Sequence, residues 1–373
     1  MSLDLARKLL RQGNPQGAAL ALERLLAGDP GHLPAHELLT QAYLLGDRPS
    51  LAHKELLRRT LWVTGITGPR AECARADASL LFGEMPEGWD QYEARFQVPG
   101  LIVPQRHFTH PRWDGTPFPG KTLLLHYEQG LGDTLMFVRY LPLVKALGGR
   151  VLLAAQPALA DLVATCPGLD GLVPKGGPVP DFDLHLPLLS LPWIFRTTLD
   201  TIPYQVPYLR VPPQVPNRAA LDPLLAQAGD RLRIALTWRG SAAHPRDPER
   251  SLPPAALAPL AALPDVAWYS LQREEGPEPF PGLIPLGPLL GTFSDTAHAL
   301  SAMDLLITVD TAAAHLAGAL GLPALVLLTH LPDWRWLMDR TDSPWYPTLR
   351  LYRQPAPGAW DAVVQRILAD LTA

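Results

Sequence analysis

Leu305-Leu306-Ile307-Thr308-Val309-Asp310-Thr311-Ala312-Ala313-Ala314-His315 decides the fold. The first five residues form a short apolar, partly β-branched run, the pattern of a buried strand in a parallel sheet. Asp310 and Thr311 are both good helix-capping residues. Ala312 to Leu320 is nearly all Ala, Leu and Gly, so a helix there can lie close against the sheet. The free N–H groups and positive dipole end of such a helix start favour phosphate. Asp310, Thr311 and His315 then stand at the carboxyl end of a strand, where open α/β folds bind ligands. The same turn also reads as an ordinary capped βα corner whose His is satisfied structurally.

Working outward, an α/β alternation surrounds this unit. Strands are expected at Arg233 to Trp238, Ala267 to Leu271, 305 to 309 and 324 to 328. Helices are expected at 254 to 263, 295 to 302 and 311 to 320, and an amphipathic helix from Pro357 to Leu371 closes the chain. Upstream, strands fall at Thr122 to His126, Arg150 to Ala155 and Phe182 to Leu186. Helices fall at Thr134 to Leu147, with Asp133 as N-cap and a kink at Pro142, and at Ala158 to Thr165. Residues 203 to 230 hold Pro203, Pro207, Pro212, Pro213, Pro216 and Pro223, which read as a proline-rich hinge between two Rossmann-like halves facing a cleft.

Residues 1 to 100 are helical. Leu5, Leu9 and Leu10 give one apolar stripe, and Ala19, Leu20, Leu22, Leu25 and Leu26 give the next. Helix breaks at Gly13-Asn14-Pro15, at Gly46-Asp47-Arg48-Pro49 and at Gly83-Glu84-Met85-Pro86 follow one another at 33 and 37 residues. Paired helices near a period of about 34 residues resemble degenerate tetratricopeptide repeats. They read either as a groove for a macromolecular partner or as a buttress for the next domain. The expected organisation is therefore a repeat region over 1–100, an N-terminal Rossmann-like domain over 101–215 and a C-terminal one over 216–373.

Composition narrows the function classes. The 373 residues are 47% hydrophobic, and the 42 prolines are spread through apolar, Trp-bearing sequence rather than clustered in a polar tract. A net charge of −4 with no Lys/Arg run gives no reason to expect nucleic acid or an anionic membrane. Cys73 and Cys166 have no metal-ligand spacing, so neither a metal site nor a disulfide scaffold is expected. The start lacks a signal-peptide core and no stretch approaches the roughly 18 apolar residues of a membrane span, which leads to the expectation of a cytoplasmic protein.

Three segments could carry chemistry. Gln129-Gly130-Leu131-Gly132-Asp133 lets backbone approach a ligand, but it lacks the third glycine of a dinucleotide fingerprint. Asp133 can cap the helix, act as general base on a hydroxyl, or both. The loop from Trp238 to Ser251 contains Ser241, His244, Arg246, Arg250 and Ser251. This is a set of forked and short donors suited to pyrophosphate, although a solvated charged loop has the same composition. Asp333-Trp334-Arg335-Trp336, with the aromatic stretch from Asp342 to Pro347, can stack on a base or sugar, or fill a core. Gln129 and Gln272 are further candidates for base or sugar contacts, and His185 and His298 read as structural.

In combination these segments resemble inverting GT-B glycosyltransferases related to ADP-heptose:lipopolysaccharide heptosyltransferases, and more closely the bacterial subgroup that joins tetratricopeptide repeats to such a domain. Pro111-Arg112-Trp113-Asp114-Gly115, Glu128 to Asp133, Ser190-Leu191-Pro192, Asp333 to Trp336 and Asp342-Ser343-Pro344-Trp345-Tyr346-Pro347 carry the resemblance across nearly the whole chain. It implies a nucleoside-diphosphate sugar as donor substrate, no cofactor and no metal, and a protein or glycan acceptor. In that family Asp133 matches the acid that takes the acceptor's proton, Asp310 the acid near the donor sugar, and Thr311, Ala312 and His315 the turn around the donor phosphates. The sequence departs in two respects. The family's Lys is missing from the loop after the first C-terminal strand, leaving Arg246 or Arg250 to replace it, and Arg239-Gly240-Ser241 stands where that subgroup usually has Ala-Gly-Asn. That absence keeps a second expectation in view, a nucleotide-binding repeat scaffold without turnover; a sugar-nucleotide epimerase of the same fold fits the repeats less well.

Overall fold

The structure, a computed structural model, describes residues 3–29, 31–45, 68–101, 108–173, 179–244, 246–274 and 276–372. The expected break at Gly46-Asp47-Arg48-Pro49 lies outside them. The chain forms two compact units, one of residues 1–102 with 333–339, the other of 103–332 with 340–373.

In the first unit, helices Leu3–Arg11, Pro15–Gly28 and Leu33–Leu45 pack around Ala6, Ala18, Leu22, Ala35, Leu39 and Tyr43. Asn14 caps the second helix by accepting from Gly17 N at 2.9 Å, and Pro15 occupies the first turn, where its missing N–H costs nothing. Helices Pro69–Leu81 and Met85–Tyr92 cross closely at Gly88, where a Cβ would lie 2.7 Å from Leu80. The segment 333–339, assigned by sequence to the C-terminal half, clusters with these helices instead. Trp334 meets Trp89 and Tyr92 edge-on, with ring centroids 5.3 and 6.2 Å away.

The second unit contains two all-parallel sheets. Strands β1 (Thr122–His126), β2 (Arg150–Ala154), β3 (Gly171–Leu172) and β4 (Leu184–Pro187) are ordered β3-β2-β1-β4. Strands β5 (Leu232–Thr237), β6 (Val266–Ser270), β7 (Ile284–Pro285), β8 (Leu305–Val309), β9 (Ala324–Leu328) and β10 (Leu349–Arg353) are ordered β10-β9-β8-β5-β6-β7. Each sheet therefore reverses direction beside its first strand, between β1 and β4 and between β5 and β8. Those are the topological switch points of doubly wound folds. Continuous apolar strands form the C-terminal core, with Leu236, Ile307, Val309 and Leu327 closed over by Trp360, Val363, Val364 and Ile367 of the last helix, Trp360–Thr372.

Several expectations are corrected. The helix expected over 134–147 is three pieces, Leu131–Phe137, a 3₁₀ turn Val138–Tyr140 and Leu141–Ala146, because Pro142 has no N–H to continue the ladder. The helix expected over 254–263 is a 3₁₀ run, Pro254–Ala262, with Pro259 inside it. The helix expected over 158–165 shortens to Ala160–Val163 after a 3₁₀ turn, and β10 is an additional strand. The proline-rich connection is not a free hinge. Tyr208 N and Leu209 N both donate to Ala319 O, at 3.0 and 3.2 Å, and Arg218–Leu225 is helical. Among the described residues no helix is long and apolar enough to cross a membrane.

Candidate functional site

At the first switch point β1 runs into the turn 127–130 and the helix Leu131–Phe137. Asp133 is not the N-cap that its sequence suggests. Gly130 is, and Asp133, three residues in, accepts from Gly130 N at 2.8 Å. The reason is backbone geometry: Gln129 takes a left-handed φ of 62°, which starts the helix earlier than a cap at Asp133 would. Gln156 braces the turn, accepting from Thr134 Oγ1 at 2.7 Å and donating to Gly130 O at 3.1 Å. Gln129 is half-buried, its carbonyl at the limit of the same Gln156 side chain.

The second switch point is the Asp310–His315 turn. Thr311 is the N-cap, its Oγ1 accepting from Ala313 N at 3.3 Å, and Ala312 opens the helix Ala312–Leu320, which ends on left-handed Gly321. His315 is buried, with Nδ1 2.9 Å from the Tyr346 hydroxyl. The two turns meet. A Cβ on Gly132 would lie 2.8 Å from His315 Cδ2, so the residue beside Asp133 packs directly on the imidazole and only glycine fits.

The loop after β5 reaches the same place through one cation. Arg250 Nη1 donates to Asp310 O at 3.1 Å, and its Nε lies 3.5 Å from buried Asp247. Asp247 also accepts from Ser251 Oγ at 2.9 Å and sits 3.9 Å from Arg239 Nε. Gly240 N donates to Ser251 Oγ at 3.1 Å, and a side chain at Gly240 would strike the Arg250 guanidinium. Arg246 turns elsewhere, to Glu249 at 3.0 Å and Leu331 O at 2.6 Å. His244 Nδ1 accepts from Arg246 N and Ser241 Oγ accepts from Ala243 N, so both serve the loop's own turns. Trp238 is buried beside a cleft of about 460 Å³ whose lining includes Arg239, Ser251, Gln272, Glu274 and Trp360. Gln272 accepts from Arg239 N at 3.2 Å. At the end of β5, the buried Thr237 hydroxyl has no hydrogen-bond partner among the described residues.

Asp333, Trp334 and Arg335 do not form an open stacking face. Trp334 is 4% exposed, flanked by Trp89 and Tyr92, with the Arg335 guanidinium 4.1 Å from its ring centroid. Arg335 is itself tied to Asp333 at 2.7 Å. Aromatic contacts available within the helical unit outcompete an exposed platform. His185 and His298 have structural partners, His126 at 3.4 Å and Asp222 at 2.6 Å.

Sequence reasoning missed Asp247, Arg139 and Tyr208, and it singled out Tyr346 only within the aromatic stretch Asp342 to Pro347, not as a partner of His315. Asp247, Arg250 and Ser251 stand at i, i+3 and i+4, a helical spacing that could have revealed the first. Tyr208 and Tyr346 lie deep in the second unit, and burial pushes both phenols above their ordinary range. Nothing local in the sequence marks either as a partner of the Asp310 turn.

No protein-family model matches the chain. It is 28% identical over 326 residues to Protein FlbA of Caulobacter vibrioides (strain ATCC 19089 / CIP 103742 / CB 15), an alignment covering 80% of this chain and 54% of that protein. The chain thus spans about half the length of the curated relative it matches. Among solved structures it is similar to a glycosyl transferase family 9 protein from Veillonella parvula DSM 2008, at 13% identity, 70% of this chain, 99% of that chain and a TM-score of 0.47. It is also similar to E. coli ADP-heptose lps heptosyltransferase II, at 12% identity, 68% of this chain, 100% of that chain and a TM-score of 0.40.

Proposed function

We propose that the chain is an inverting, metal-independent glycosyltransferase of GT-B type, moving a sugar from a nucleoside-diphosphate sugar to a protein or glycan acceptor recruited by the helical unit. The observation that supports this reading is the packing of Gly132, the residue before Asp133, on His315 of the second switch-point turn. In one in-line displacement Asp133 takes the proton of an acceptor hydroxyl and the hydroxyl oxygen bonds to the anomeric carbon. The bond from that carbon to the diphosphate oxygen breaks as it does so. A carboxylate has about four lone-pair sites, so the bond to Gly130 N does not by itself exclude this second role.

The departing diphosphate would be met by the backbone N–H groups after Thr311, by His315 and by Arg250. Arg250, and not Arg246, replaces the missing Lys, because it is the cation held at the Asp310 carbonyl. The Trp238–Gln272 cleft suits the nucleoside, with an apolar wall and polar groups at its edge. The test is incubation of purified protein with UDP-, GDP- and ADP-sugars, reading sugar release and transfer. Measurable release from one donor supports the enzyme.

A second reading, a nucleotide-binding scaffold without turnover, rests on the absence of a Lys from the loop after β5. Stabilisation by a nucleotide with no sugar released from any donor would select it.

A further inference from the structure

Arg139 is a buried cation in a neutral setting. It is 3% exposed, and its Nε donates to Met136 O at 2.7 Å, Nη1 to Trp345 O at 2.5 Å and Nη2 to the Tyr208 hydroxyl at 2.9 Å. A weaker contact reaches Pro203 O at 3.4 Å. No carboxylate among the described residues pairs with it. Its guanidinium carbon lies 4.8 Å from the Tyr208 ring centroid and 4.5 Å from that of Tyr346. Burying a cation with only neutral partners is costly, so its effect on those partners is the informative part. Tyr208 is fixed by it, accepting from Nη2 and donating to Leu135 O at 2.9 Å. The Tyr346 ring rests against Gly318 in the Ala312–Leu320 helix, where no Cβ would fit, and its hydroxyl meets His315 Nδ1 at 2.9 Å.

We propose that Tyr346 is a positioning residue of the transfer site, held by Arg139, which fixes His315 as the tautomer whose Nε2 carries the proton. The proposal rests on the donor role of the Asp310–His315 turn. A cation beside a phenol orients the O–H dipole with its hydrogen away from the charge. The hydroxyl's other neighbour, Tyr208, already accepts from Arg139 Nη2 and lies on the side of the cation, so the hydrogen of Tyr346 falls on Nδ1. A neutral imidazole that accepts at Nδ1 must carry its hydrogen at Nε2. The Cδ2–Nε2 edge is the one that faces Gly132, at 2.8 and 3.5 Å from where its Cβ would be. The relay thus presents an N–H donor at the seam of the two turns, where a leaving diphosphate gathers charge.

The test uses the full-length protein labelled with ¹⁵N-histidine, its His315 signals assigned against His315→Gln. Long-range ¹H–¹⁵N correlation is expected to show the Nε2–H tautomer, and Tyr346→Phe to replace it with a mixture or with the other form. Calorimetric titration with ADP, GDP and UDP adds the functional arm. For whichever binds, Tyr346→Phe is expected to weaken affinity by about tenfold, the scale of one charge-assisted hydrogen bond, with circular dichroism unchanged. An Nδ1–H tautomer in the wild type, or ring signals that Tyr346→Phe leaves unmoved, would overturn the proposal. If none of the three nucleotides binds the wild type, the donor role fails, and the tautomer still decides whether Tyr346 governs His315.

Discussion

The turns after β1 and after β8 are the same device used twice, a parallel strand at a switch point running straight into a helix start, yet their chemistry differs. The first is capped by glycine backbone and carries a carboxylate at its third helical position. The second is capped by Thr311, opens a nine-residue helix of small residues, and has Arg250 drawn to its carbonyl. Topology alone would give both the same preference for an anion. The side chains separate them, and in the proposed function the acid at one turn removes a proton while the cation at the other meets the departing diphosphate. Because Gly132 packs on His315, the two opposite chemistries stand side by side.

Asp133→Asn should break the comparison most severely. Asn still accepts from Gly130 N through its carbonyl oxygen, so the helix start survives, but it takes no proton. Transfer should fall by roughly 10²–10⁴-fold, the range for loss of a general base. The melting temperature should stay close to wild type. Full transfer in this variant would remove Asp133 from the reaction and leave it a capping residue.

Arg250→Ala addresses the other turn. It removes a cation poised at the Asp310 carbonyl and leaves buried Asp247 without the nearer of its two cations. Nucleoside-diphosphate affinity should drop by about 10- to 100-fold, as expected for a charge-assisted contact of roughly 1.5–3 kcal/mol. Arg246→Ala, with its side chain committed to Glu249 and Leu331 O, should leave affinity nearly unchanged. Equal losses in the two variants, measured by calorimetry, would mean that the loop acts only through net charge.

The strands of both turns were legible because parallel strands buried on both faces are continuous apolar runs. Thr122 to His126, 305 to 309 and 324 to 328 agree with the structure to the residue. What escaped was set by contacts distant in sequence. The role of Tyr346 depends on His315, 31 residues away, and that of Arg139 on Trp345, 206 residues away. For Trp334 the sequence left stacking face and core filler both open, because the partners that make it core, Trp89 and Tyr92, belong to the opposite end of the chain. Asp133 was misplaced by three positions for a local reason, since a left-handed Gln129 is not encoded by any residue preference.

Gly132→Ala would sharpen the contact itself. The added methyl falls 2.8 Å from a buried imidazole that Tyr346 prevents from retreating. Overpacking of this kind costs about 1–3 kcal/mol. Chemical denaturation should reveal it as a lower midpoint with an unchanged slope. A midpoint equal to wild type would mean that the two turns separate freely and that their contact does not define the site.

Thr311→Ala is expected to have the smallest effect, and it tests the asymmetry directly. Thr311 Oγ1 accepts from Ala313 N at 3.3 Å and lies 3.2 Å from the Thr308 hydroxyl. Losing an N-cap costs about 1 kcal/mol, which for a chain of this size shifts the melting temperature by only a few degrees. The freed Ala313 N–H, however, is one of the helix-start donors that the proposed function assigns to the diphosphate. A bound nucleotide can satisfy that donor in the variant, so a thermal shift measured with saturating nucleotide should narrow the gap to wild type. A gap that stays the same with and without nucleotide would mean that the helix start does not hold the phosphates, and that the second turn owes its anion preference to Arg250 alone.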